Sequence, residues 1–154
     1  MTEERLLKIK DVSSDGVDTD TVEMETTCRF SGDEKNCTIE FDEIFAEDMK
    51  SHTVLRVKDG KCTHLLRRGS INTELIIEKG VRHNCAYCTP YGELMVGITA
   101  SDFICEKRGT LIRLKMNYTV DFYGDINQTK EMTVVVGKPV IERNNENEQT
   151  CKNC

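Results

Sequence analysis

The 154-residue chain has no tryptophan, 6% aromatic residues and two prolines, so it advertises no large stacking surface. Basic residues are nowhere gathered: Arg67-Arg68 and Lys107-Arg108 are isolated pairs beside turns, and the net charge is −6. A phosphate backbone is therefore excluded as a partner, because nucleic-acid binding needs clustered Lys and Arg. No apolar run approaches the ~20 residues that span a bilayer. Residues 1–8, Met-Thr-Glu-Glu-Arg-Leu-Leu-Lys, have neither the apolar stretch nor the cleavage site of a secretory signal. The expected location is the cytoplasm, where the eight cysteines would be thiols or metal ligands rather than disulfides. Also missing are a Gly-x-Ser-x-Gly elbow, a Gly-rich phosphate loop and a His-Glu-x-x-His helix. Catalysis finds little support.

What the chain does have is alternation. Its length fits one domain with a core of its own, and 38% hydrophobic with 31% charged residues is ordinary for a globular protein. Period two runs almost everywhere. Val22, Met24, Thr26, Cys28 and Phe30 oppose Glu23, Glu25, Thr27 and Arg29; Cys37, Ile39 and Phe41 follow after a Ser31-Gly32-Asp33 turn. Residues 43–52 lose the pattern and read as a loop or one helical turn. Strand patterns resume at Leu55 and Val57, at 62–68, and at Thr73, Leu75 and Ile77. Leu94, Val96, Ile98 and Ala100 face inward; the phase then slips to Phe103 and Cys105, which predicts a β-bulge near Asp102. From Thr110 to Phe122 the alternation never misses, and Met132, Val134 and Val136 close the series.

With one apolar face per strand and no helix of three turns, the sheet must fold over its own inner face. Short consecutive hairpins favour an all-β, antiparallel up-and-down barrel of about eight to ten strands, since closure removes the exposed edges. Such a barrel has room for side chains and one small ligand. The predicted domain is 1–140. Residues 141–154 are polar, and nothing after Ile141 is apolar except cysteine, so they read as a flexible tail. Deleting 142–154 is expected to leave the melting midpoint within about 2 °C, as a thermal melt would show, because little buried contact is lost.

Residues 81–94 hold the interior proline, a histidine and a Cys-x-x-Cys. Leu66-Arg67-Arg68-Gly69, Glu78-Lys79-Gly80, His83, Tyr87-Cys88-Thr89-Pro90-Tyr91-Gly92, Thr99 and Tyr118 together resemble the YwiB-like family. The resemblance spans roughly residues 5–138, and its most specific part is Tyr-x-Thr-Pro-x-Gly. It implies a small bacterial cytoplasmic protein with a calycin-like, lipocalin-like barrel, and it implies no reaction. Calycin relatives hold apolar ligands, but fold analogy is a weak warrant for function.

Two constellations carry chemistry. Cys85 and Cys88, with Cys151 and Cys154, form two Cys-x-x-Cys pairs of the kind a structural zinc takes. Against zinc, residues three apart on a strand point to opposite faces, and Ala86-Tyr87 supplies no tight turn. A redox role would want a helix N-terminus to lower the thiolate pKa, and no such helix is predicted. His83, Tyr87 and Thr89 share one face of a strand, with Arg67 and Tyr118 as further ligand-binding candidates. They would be the convergent polar groups of an apolar pocket, or else a buried network that satisfies itself. The leading expectation is a non-enzymatic barrel, without cofactor, that binds a small apolar ligand or a protein partner. An enzyme using His83 as base and Tyr87 as proton donor at the barrel mouth is the alternative, and a structural zinc protein the third reading.

Overall fold

The structure, a computed structural model, describes residues 2–89 and 92–140, leaving aside the side chains of Phe45, Tyr87, Cys88 and Thr89. Ten strands follow one another: β1 Thr2–Ser14, β2 Thr19–Gly32, β3 Cys37–Ala46, β4 Met49–Lys58, β5 Cys62–Gly69, β6 Thr73–Glu78, β7 Arg82–Thr89, β8 Gly92–Arg108, β9 Leu111–Phe122 and β10 Asp125–Pro139. Each pairs antiparallel with the next, and β1 pairs with β10, which closes the barrel. There is no helix among the described residues, and so none long and apolar enough to cross a membrane. The predicted up-and-down architecture is the observed one.

The side-chain period of two does the sorting. In β9, Ile112, Leu114, Met116, Tyr118 and Val120 are buried while Arg113, Lys115, Asn117 and Thr119 lie outside. Leu7, Phe30, Ile39, Leu55, Ile77, Val134 and Val136 join them in one continuous core. The register of β8 against β9 shifts between Ala100 and Asp102, where the inner phase passes from Ile98 and Ala100 to Phe103. That is the bulge expected from the phase slip.

Residues 43–52 depart from the reading as a loop or helical turn. β3 runs on to Ala46, β4 begins at Met49, and Phe41 pairs with Thr53 and Glu43 with Ser51. The apolar alternation stops there because the inward positions are Glu43, Ser51 and Thr53. The strand geometry continues without the hydrophobic signal that usually betrays it.

Two seams are weak. β2 pairs with β3 only from Arg29–Gly32 to Cys37–Glu40, whereas β2 pairs with β1 back to Thr19. The first half of β2 therefore diverges from the end of β3. Between β6 and β7 the ladder holds the single pair Glu74–Ala86 among the described residues. An outside clasp supports that side of the barrel. The Arg82 guanidinium on β7 crosses Gly97 on β8 and binds Asp121 on β9 through Nε at 3.0 Å and Nη2 at 2.7 Å. Beside that cation, and with the Gly124 amide donating to it, the Asp121 carboxyl is held below the usual carboxylate range.

One interior group is out of place. Thr63 is fully buried, and its hydroxyl has no partner among the described residues. A buried polar group left unmatched costs about 1–3 kcal/mol. Thr63→Val keeps the shape and removes the hydroxyl, so it is expected to raise the melting midpoint by about 3 °C, or about 1 kcal/mol. A lower midpoint would mean that the hydroxyl is satisfied.

Candidate ligand cavity at the barrel mouth

One mouth of the barrel carries the turns after β1, β3, β5 and β9; the other carries the turns after β2, β4, β6 and β8. The second is packed shut by Phe30, Cys37, Val57 and their neighbours. Toward the first, the inward row of several strands changes from apolar to polar. On β1 it reads Leu7, Ile9, Asp11; on β3 Ile39, Phe41, Glu43; on β5 Leu65, Arg67; and on β10 Val134, Met132, Lys130. Charged residues on the inner face must be paired or meet a ligand, because a bare ion in a low-dielectric interior is costly.

Here they are paired. Arg67 Nε donates to Glu43 Oε1 at 2.9 Å, and the Thr53 hydroxyl donates to the same oxygen. Lys130 Nζ lies 3.3 Å from Asp11 Oδ2. The side chains of Glu43 and Lys130 are each 14% exposed, so both pairs are largely withdrawn from water. The other Asp11 oxygen, Oδ1, is buried without a donor among the described residues.

Beside these groups lies a cavity of about 420 Å³. Its apolar wall is Met24, Phe41, Leu55, Leu65 and Met132; its polar end is Asp11, Glu43, Thr53 and Arg67. Val22 and Ile44, both exposed, stand on either side where β2 parts from β3. A recess of about 50 Å³ continues past Asp11 and Arg67 to Ile98, Tyr118 and Lys130. An apolar chamber with a few convergent polar groups at one end is the usual form of a small-molecule site.

The sequence-derived candidates divide over this geometry. Arg67 and Tyr118 come together in the recess. His83 stands toward the shut end, where its Nε2 is 2.9 Å from Glu78 Oε1. Tyr87 and Thr89 pair by backbone with Leu94 and Gly92, and their side chains lie outside the described residues. None of the three histidines lines the cavity or its recess. Glu43, Thr53, Asp11 and Lys130 escaped the sequence reading. For Asp11 and Lys130 a signal existed: each continues the inward phase of its strand, Leu7–Ile9 before the one and Met132–Val134 after the other.

Of the zinc candidates, Cys85 is buried, its Sγ accepting the Ile76 N–H at 3.3 Å in the thin β6–β7 seam, and burial raises its thiol pKa. Cys88, as a side chain, and Cys151 and Cys154 lie outside the described residues. Among the described residues no three His, Cys, Asp or Glu side chains are grouped to hold a metal. At the shut end, burial pushes Cys28 and Cys105 up to about 11 and Cys37 up to about 12. Thiols so far from ionising behave as small core hydrophobes.

Fold and cavity define a closed, ten-stranded antiparallel barrel with one polar-ended interior chamber. The family described as Domain of unknown function (DUF1934) matches residues 7–134, and the chain belongs to it. No curated protein matches the chain. Among solved structures it is similar to the crystal structure of ywiB protein from Bacillus subtilis, with a TM-score of 0.70 and 18% identity. The match covers 89% of this chain and 94% of that one. At that identity the likeness is one of fold, and it agrees with the YwiB-like barrel expected from the motifs.

Proposed function

We propose that the protein is a non-enzymatic binder that takes one small, mainly apolar ligand into the cavity between β2 and β3. The carrying observation is the chamber of about 420 Å³ whose apolar wall ends on Asp11, Glu43, Thr53 and Arg67. Binding rather than turnover is favoured because no histidine lines the chamber and His83 is engaged with Glu78 away from it. The dispersed basic residues and the net charge of −6 suit a protein that does not take nucleic acid as partner.

Titration with the neutral fluorophore N-phenyl-1-naphthylamine tests the reading. One-to-one binding to the folded protein is expected. Met24→Trp, which fills the chamber from its partly buried wall position, is expected to weaken it at least tenfold without lowering the melting midpoint. A folded wild type that does not bind the probe, or a Met24→Trp variant that binds it equally well, would overturn the proposal.

A further inference from the structure

Each inward-facing cation of the chamber already has a carboxylate, Arg67 with Glu43 and Lys130 with Asp11, and the exposed Glu23 adds a further negative charge to the wall. An anionic ligand would meet that excess of carboxylates, and a cationic one would compete with Arg67 and Lys130 for their partners. One acceptor is nevertheless unmatched. Asp11 Oδ1 is buried without a donor among the described residues, and Asp11 lines both the chamber and the recess, so a small turn of its side chain brings that oxygen to a ligand. A carboxylate would bring acceptors only, so it would leave Oδ1 unmet and stand against a like charge. A hydroxyl or a primary amide would bring the missing donor and add no charge. The chamber beyond, at about 30 Å³ per water-sized group, holds on the order of a dozen non-hydrogen atoms.

We infer that the cavity selects uncharged amphiphiles of medium chain length, a hydroxyl or carboxamide donating to Asp11 Oδ1 and the chain lying along Met24, Phe41 and Leu65 toward the β2–β3 opening. The inference rests on the binding reading above and narrows it to a ligand class. Lys130 engages the other oxygen, Oδ2, and leaves Oδ1 to the ligand. The polar end enters first because the charged groups sit at the recess, and the opening between Val22 and Ile44 is apolar.

The test displaces N-phenyl-1-naphthylamine with 1-decanol and with decanoate at pH 7.5, reading the concentration at half displacement. For the wild type, decanol is expected to act at a concentration at least tenfold below that of decanoate. Asp11→Asn keeps an oxygen acceptor but leaves Lys130 without its counter-charge. Decanol should then weaken about fivefold, because a neutral amide oxygen accepts a weaker hydrogen bond than a carboxylate, while decanoate gains at least tenfold. Lys130→Met leaves Asp11 uncompensated and should widen the preference for decanol. A wild type that prefers decanoate overturns the inference, and so does a ratio that neither variant moves. If the fluorophore binds but neither decyl compound displaces it, the ligand class is wrong while the binding reading stands. If the fluorophore itself fails to bind, the binding reading falls first.

Discussion

Glu43→Ala is expected to lower stability by about 3 kcal/mol and the melting midpoint by about 10 °C. Glu43 Oε1 accepts from Arg67 Nε on β5 and from the Thr53 hydroxyl on β4. Truncation leaves a guanidinium inside the barrel without its carboxylate, and breaking such a pair costs about 3–5 kcal/mol when burial is complete. The Arg67 side chain keeps 20% of its exposure, which puts the loss at the lower end. Glu43→Gln retains an oxygen acceptor and should lose about 1 kcal/mol. The double variant Glu43→Leu, Arg67→Met removes both charges and should recover most of the stability, since apolar replacements of a buried pair are often neutral. Urea denaturation at fixed pH decides: a single Ala variant within 0.5 kcal/mol of wild type would mean that Arg67 finds water without the carboxylate. The 0.5 kcal/mol threshold is about the scatter of surface substitutions.

The second large effect is expected at Gly69, the last residue of β5. Its φ is +139°, and a Cβ there would stand 2.5 Å from the Lys50 carbonyl oxygen and 2.8 Å from Ser51 Cα. Both are backbone atoms of β4 and cannot rotate aside. The turn that follows is tied to the same strand: Ser70 N–H donates to Lys50 O at 2.8 Å, and buried Ser51 Oγ bonds both the amide and the carbonyl of Ile71. Gly69→Ala must therefore push β4 and β5 apart beside Arg67, and a loss of about 3 kcal/mol is expected. Gly124→Ala separates the two causes. Gly124 has a φ of +94° with nothing within 4 Å of its Cβ position, so that variant bears only the backbone strain, about 1–2 kcal/mol. If the two variants melt alike, the close approach of β4 is not what fixes glycine at 69.

Much of the architecture was legible because the alternation carried through. Ile112 to Val120 announced β9 without help, and the slip from Ala100 to Phe103 announced the bulge in β8, since a one-residue insertion reverses every side chain after it. The turn from β3 to β4 was not legible for the same reason inverted. Hydrophobic pattern reports the environment of a face rather than backbone conformation, and the inner face there is polar. A reader of pattern alone sees a loop where Glu43, Ser51 and Thr53 point into the barrel.

The site was half legible. Arg67 and Tyr118 were singled out and do meet in the recess, but His83, grouped with them, lines neither chamber nor recess and is held by Glu78 at the start of β7. The partners that matter were hidden by distance along the chain. Glu43 lies two strands from Arg67, and Asp11 and Lys130 sit near opposite ends of the chain, joined only because β1 closes against β10. The sequence by itself determined the apolar strands and their inward faces, the closed barrel and the family. Only the tertiary structure decided which charged residues face one another and where the wall parts to admit a ligand, because both depend on register between strands, and register is a relation between segments that neither segment contains alone.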